Sequence, residues 1–100
     1  MFRSKKFKEA VIEEQIATML NIYSERIEKV RKEIQKIIQE FKSKKISYAD
    51  AKKLLQDYKE ELLKIKSDLK KQKPKNPDLK AQKESLIAKV NELVKIIEKF

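Results

Sequence analysis

Glu9, Glu13 and Glu14 are the side chains that come nearest to a chemistry of their own. Glu9 and Glu13 are four residues apart, so a helix carries both carboxylates on one face, with Glu14 adjoining. Grouped carboxylates suit a hard divalent cation. Carboxylate metal sites in helical bundles draw ligands from facing helices, however, and like charges at this spacing repel. All three also fall where a helix starting near residue 9 favours negative charge. The group therefore reads as a helix start, and no metal is expected. A second acidic group, Asp57, Glu60 and Glu61, is no better: Lys64 follows Glu60 by four residues, the spacing of an exposed ion pair. Glu25–Lys29 and Glu28–Lys32 have the same spacing.

Nucleophiles fare no better. Ser24, Ser43, Ser67 and Ser85 have no histidine to activate them, because the chain contains no His. Cys and Gly are also absent, which excludes disulfides, thiolate chemistry and glycine-rich phosphate loops. Tyr23 and Tyr58 lie on apolar stripes, which points to packing. Tyr48 follows a helix cap and is placed to cover a loop. No catalytic residue, cofactor or small-molecule substrate is expected, and the chain reads as a non-enzyme.

What remains is charge. Lys and Arg number 26 against 16 Asp and Glu, for a net +10. Residues 1–8 hold Arg3, Lys5, Lys6 and Lys8, with Phe2 and Phe7 between them. Lys42, Lys44 and Lys45 form a second cluster. The third, Lys70, Lys71, Lys73 and Lys75, lies in DLKKQKPKNPDL at residues 68–79, beside the only two prolines, Pro74 and Pro77. Only Arg3, Arg26 and Arg31 are arginines, and base-edge recognition favours the guanidinium fork. Any contact with nucleic acid is thus expected to be salt-sensitive and without base preference.

The elements that must position these groups follow from periodicity. In the first segment Ile12, Ile16, Met19, Tyr23, Ile27, Val30, Ile34, Ile37 and Phe41 recur at helical steps of three and four. Two adjacent four-residue steps insert a stutter, which predicts a nearly straight helix. The second segment opens at ISYAD, where Ser47 and Asp50 have capping-box spacing. Ala51, Leu55, Tyr58, Leu62, Ile65 and Leu69 form its stripe, widened by Leu54. The third opens at NPDL, with Asn76 as N-cap and Pro77 in the first helical position. Its stripe is Leu79, Leu86, Val90, Leu93, Ile97 and Phe100, broadened by Ile87 and Val94 and interrupted by Lys83.

These segments predict one all-α domain over residues 1–100: a basic tail at 1–8 and helices at about 9–42, 47–72 and 77–99. Short links favour antiparallel neighbours. The fold class expected is an elongated antiparallel three-helix bundle, or a helical hairpin with a longer first helix. An up-down-up course sets Arg3, Lys5, Lys6 and Lys8 at the same end as Lys70, Lys71, Lys73 and Lys75.

Two functional readings follow. The first is a structural or protein–protein interaction module that self-associates, most simply as a dimer. Its interface is the surplus apolar surface of the first helix: Val11, Leu20, Ile22 and Ile38. The alternative is a nucleic-acid-binding protein using the lysine-rich end, those same eight basic residues contacting the phosphate backbone. A membrane-surface role, inserting Phe2 and Phe7 among anionic head groups, ranks behind both. No apolar run reaches spanning length and MFRSKKFK is no ordinary secretory signal, so a cytoplasmic location is expected. With 42% charged residues, the composition resembles that of a heat-adapted protein.

Overall fold

Among its described residues the computed structural model has three helices: α1 (Phe2–Lys42), α2 (Tyr48–Lys71) and α3 (Pro77–Lys99). The structure describes the backbone of residues 2–100 and the side chains of residues 8–100. Each helix packs against both others, so the arrangement is a three-helix bundle, 64 × 18 × 17 Å in extent.

The boundaries have local causes. Ser47 is extended (φ −73°, ψ 161°), and its hydroxyl accepts the Asp50 N–H at 3.1 Å, which starts α2. Asn76 starts α3 in the same way: its side-chain oxygen accepts the N–H groups of Asp78 at 2.7 Å and Leu79 at 3.4 Å. Pro77, which has no N–H to satisfy, occupies the first turn. α2 ends at an extended Gln72, two residues before Pro74. α1 ends in a Schellman turn: Lys45 donates to the Glu40 carbonyl at 2.9 Å and Lys44 to that of Phe41 at 3.0 Å. Lys44 stands at φ 62°, in the left-handed region that glycine normally takes.

The N-terminus of α1 differs from the sequence expectation. The helix continues back to Phe2 where a basic tail was anticipated, since no Gly or Pro interrupts residues 2–8. α1 is therefore 41 residues long and runs the length of the rod, against 24 for α2 and 23 for α3.

Cross-helix contacts give the direction of each helix. Asn21 meets Gln82 and Phe41 meets Phe100, so α1 and α3 run parallel. Arg26 meets Glu61 and Phe41 meets Tyr48, so α2 runs against α1. This is the up-down-up course read from the short links.

Between the helices lies a core in which, among the described residues, no polar or charged side chain is buried. α2 buries Ala51, Leu55, Leu62, Ile65 and Leu69, and α3 buries Leu86, Val90, Leu93, Val94 and Ile97. Tyr58, Leu79, Ile87 and Phe100 pack at its edge.

In α1 the stripe needs correction. Leu20 is fully buried, while Met19, assigned to the stripe, only packs at its margin. With Leu20 in place the core positions are Ile16, Leu20, Tyr23, Ile27, Val30, Ile34 and Ile37, alternating steps of four and three without a stutter. The cause is α3: a second partner helix widens the buried arc of α1 to the side on which Leu20 lies. Ile12 is the opposite case. It continues the stripe but is 53% exposed, because the α2–α3 hairpin ends beside it. Leu54, expected to widen the α2 stripe, is 43% exposed.

Candidate functional site

Three regions hold the residues singled out from the sequence: the tip at the α2–α3 joint, the tip at the α1–α2 joint, and the side of α1 between them.

At the α2–α3 joint the acidic group of α1 is engaged. One carboxylate oxygen of Glu13, Oε1, accepts the backbone N–H of Lys75 at 2.5 Å and that of Asn76 at 3.3 Å. Glu9 pairs with the Lys75 ammonium at 3.3 Å. Lys83, which breaks the α3 stripe, places its ammonium 2.6 Å from the Gln72 carbonyl. That contact satisfies an acceptor at the end of α2. Pro74, within the loop, is buried. DLKKQKPKNPDL is therefore a joint fastened from both sides, by Glu13 from α1 and Lys83 from α3. Among the described residues no group of three or more His, Cys, Asp or Glu side chains is arranged to hold a metal ion.

This geometry bears on the expected basic end. Lys70, Lys71, Lys73 and Lys75 lie at one tip, but Lys75 faces Glu9 and the loop rests on Glu13. Lys8 is exposed on α1 nearby. The side chains of Arg3, Lys5 and Lys6, like those of Phe2 and Phe7, lie outside the described residues.

The α1–α2 tip is built differently. Tyr48 stacks on Phe100 with ring centroids 5.2 Å apart and planes 12° from parallel. Phe41 meets both rings edge-on, at 5.8 Å from Tyr48 and 5.1 Å from Phe100. The Tyr48 hydroxyl donates to the Phe100 carbonyl oxygen at 2.9 Å. Around this cluster an open groove is lined by Phe41, Lys42, Lys44, Lys45, Ile46, Ser47 and Tyr48. Lys52 lies 5.8 Å from the centre of the Tyr48 ring. Sequence reading placed Tyr48 over a loop but missed its partners. The available signal was three aromatics at element ends that an up-down-up course brings together.

The proposed interface residues on α1 separate. Leu20 is withdrawn from the exposed set, since it lies in the core. Ile38 is partly buried and packs against that core. Ile22 is 44% exposed. Val11 is half-buried and lines a shallow groove with Glu14, Gln15, Thr18 and Met19. Ile12, not in the expected set, adjoins them.

Along the α1–α2 seam, Arg26 reaches Glu61 at 3.8 Å in a depression also lined by Lys29, Val30, Glu33 and Tyr58. Burial holds the phenols of Tyr23 and Tyr58 above the ordinary tyrosine range. The charge of Asp68 reinforces this for Tyr23, and those of Glu33 and Glu61 for Tyr58. Both therefore remain protonated packing groups at neutral pH. Glu28 pairs with Arg31, which holds its carboxyl below the usual range, in place of the Lys32 contact suggested by spacing.

No family model, curated protein or solved structure matches the chain. No helix among the described residues is long and apolar enough to cross a membrane.

Proposed function

We propose that this chain is a non-enzymatic helical interaction module that self-associates, two copies pairing antiparallel along the N-terminal half of α1. The observation that carries this reading is the uncovered apolar side of that half-helix. At 3.6 residues per turn Val11, Ile12, Gln15, Met19 and Ile22 fall within about 100° of arc. Of these, Ile12 and Ile22 are 53% and 44% exposed. The α2–α3 hairpin ends level with Glu9 and Glu13, so nothing within the described residues covers Ile12. Exposed apolar surface continuous along a helix favours a partner.

Charge favours one direction for such a pair. Residues 1–8 carry four basic and no acidic side chains. Antiparallel overlap centred on residues 11–22 sets residues 1–8 of each copy opposite residues 25–32 of the other, where Glu25 and Glu28 lie, and keeps the two basic segments apart. Parallel overlap sets like against like. An antiparallel pair is also isologous and closed, the commonest form of soluble oligomer.

Sedimentation velocity over a micromolar-to-millimolar series tests the reading. A dimer is expected at the upper concentrations, strengthening as salt screens the repulsion between two copies of net charge +10. Ile22→Asp should give a monomer with an unchanged helical signal. A wild-type monomer throughout would end the proposal. Ile38→Asp, by contrast, should lower stability, because Ile38 packs on the core.

A further inference from the structure

We propose that the α1–α2 tip of the bundle is a contact surface for the phosphodiester backbone of nucleic acid, centred on Lys42, Lys44 and Lys45. This is a different end from the α2–α3 joint, and it is independent of the self-association of α1.

The three lysines line one open groove in which no carboxylate side chain takes part. None of them is in an ion pair among the described residues; at the other tip Lys75 is paired with Glu9, while Lys70, Lys71 and Lys73 are in no ion pair. Between residues 40 and 53 there are five lysines, Lys42, Lys44, Lys45, Lys52 and Lys53, against two carboxylates, Glu40 and Asp50.

Lys44 supplies a separate indication. It occupies the left-handed position of a Schellman turn at φ 62°, where glycine carries no steric penalty. A side chain held in a disfavoured backbone conformation points to a use for that side chain. Here it adds a third ammonium group to the groove.

The groove's chemistry narrows the ligand. The rings of Phe41, Tyr48 and Phe100 are packed on one another and the Tyr48 hydroxyl is bonded, while Tyr48 stays 46% exposed. The aromatic cluster fixes the platform from which the lysines project. Lysine ammonium groups are point charges that neutralise phosphates without reading base edges. Three such contacts predict weak binding, with a slope of log K against log salt of about −2 to −3 on duplex DNA.

The test is fluorescence anisotropy of a labelled DNA duplex and a labelled single strand of equal length, in a low-salt series. The expected result is binding to at least one form, and the tighter form identifies the substrate. Joint substitution Lys44→Glu and Lys45→Glu should weaken it by about tenfold or more at low salt. Lys71→Glu with Lys73→Glu should change it by less than about twofold. Lys44→Gly guards against loss of fold: its melting temperature should equal or exceed that of the wild type. It should still lose about two- to threefold in affinity, with a salt slope shallower by about one. The proposal is overturned by no binding to either form, by equal losses from substitutions at the two tips, or by an unaltered slope in Lys44→Gly. It is also overturned if polyglutamate competes as well as unlabelled DNA, since the surface would then recognise acidic chains in general.

Discussion

The two tips of the bundle solve one problem by opposite means. Each must fasten a short joint to a helix distant in sequence. At the α2–α3 joint the fastening is polar: Glu13 accepts two loop N–H groups, Glu9 meets Lys75, and Lys83 reaches the Gln72 carbonyl. At the α1–α2 joint it is aromatic, with Phe41, Tyr48 and Phe100 packed together and one hydrogen bond from Tyr48. The polar fastening pairs Lys75 with Glu9 and leaves Lys70, Lys71 and Lys73 out of any ion pair among the described residues. The aromatic fastening uses no charged group, and Lys42, Lys44 and Lys45 around it are likewise in no ion pair among the described residues. The two joints therefore differ in the carboxylates they engage, Glu9 and Glu13 at one and neither at the other.

Both fastenings depend on a common core, and the largest effect should come from breaking it. Leu62 is fully buried midway along α2. Leu62→Asp should abolish the cooperative unfolding transition, because an unpaired buried charge costs several kcal/mol, comparable with the roughly 5–15 kcal/mol stability of a whole domain. A thermal melt by circular dichroism would show it. A cooperative melt in that variant would mean that the helices do not share one core.

Glu13→Ala sharpens the contrast next. It leaves the Lys75 and Asn76 N–H groups without their acceptor and should cost about 1–3 kcal/mol. Amide exchange should quicken at Gln72, Lys73, Lys75 and Asn76 while that at Lys44 and Lys45 stays unchanged. Glu13→Gln retains an acceptor oxygen and should recover most of the loss. Equal losses in the two variants would mean that the charge, not the hydrogen bonds, holds the loop.

Tyr48→Phe probes the other tip more gently. It keeps the stack and removes one hydroxyl donor, for an expected cost of about 0.5–1.5 kcal/mol by denaturant titration. Slowed or unchanged exchange at the polar tip would confirm that the two fastenings act separately; quickened exchange there would couple them.

The smallest effect concerns pH. Burial and Asp68 raise the Tyr23 phenol above its ordinary value, which favours the protonated form in the fold. The stability this represents is fully present below the unfolded tyrosine value, near 10, and is lost as pH rises through the folded value. Tyr23→Phe should therefore flatten the alkaline limb of the stability curve while leaving its neutral limb almost unmoved. An identical alkaline limb in the two proteins would assign the loss to other groups.

The extent to which the chain could be read from its sequence follows the same division between near and distant partners. Ser47, Asn76, Pro77 and Pro74 act within one turn of themselves, so the starts of α2 and α3 and the end of α2 were legible. The stripes of α2 and α3 were nearly so, since a residue's face depends only on its own helix. The α1 stripe was misjudged between Met19 and Leu20, neighbours of similar hydrophobicity whose burial depends on which side α3 approaches. Ile12 fits the periodicity and is exposed, because periodicity does not show where a partner helix stops. Glu13 read as part of a helix start, and nothing local indicated that its acceptors served a loop 62 residues away.

The sequence by itself therefore determined three helices, their caps, their up-down-up course and an uneven positive charge, because these rest on backbone chemistry and on periods of three to four residues. Tertiary structure alone decided that Leu20 is core, that Glu9 and Glu13 are committed to the α2–α3 joint, and that Phe41, Tyr48 and Phe100 meet. Those outcomes depend on the axial register and rotation of helices whose contacting residues are up to 66 positions apart, and no local rule carries that information.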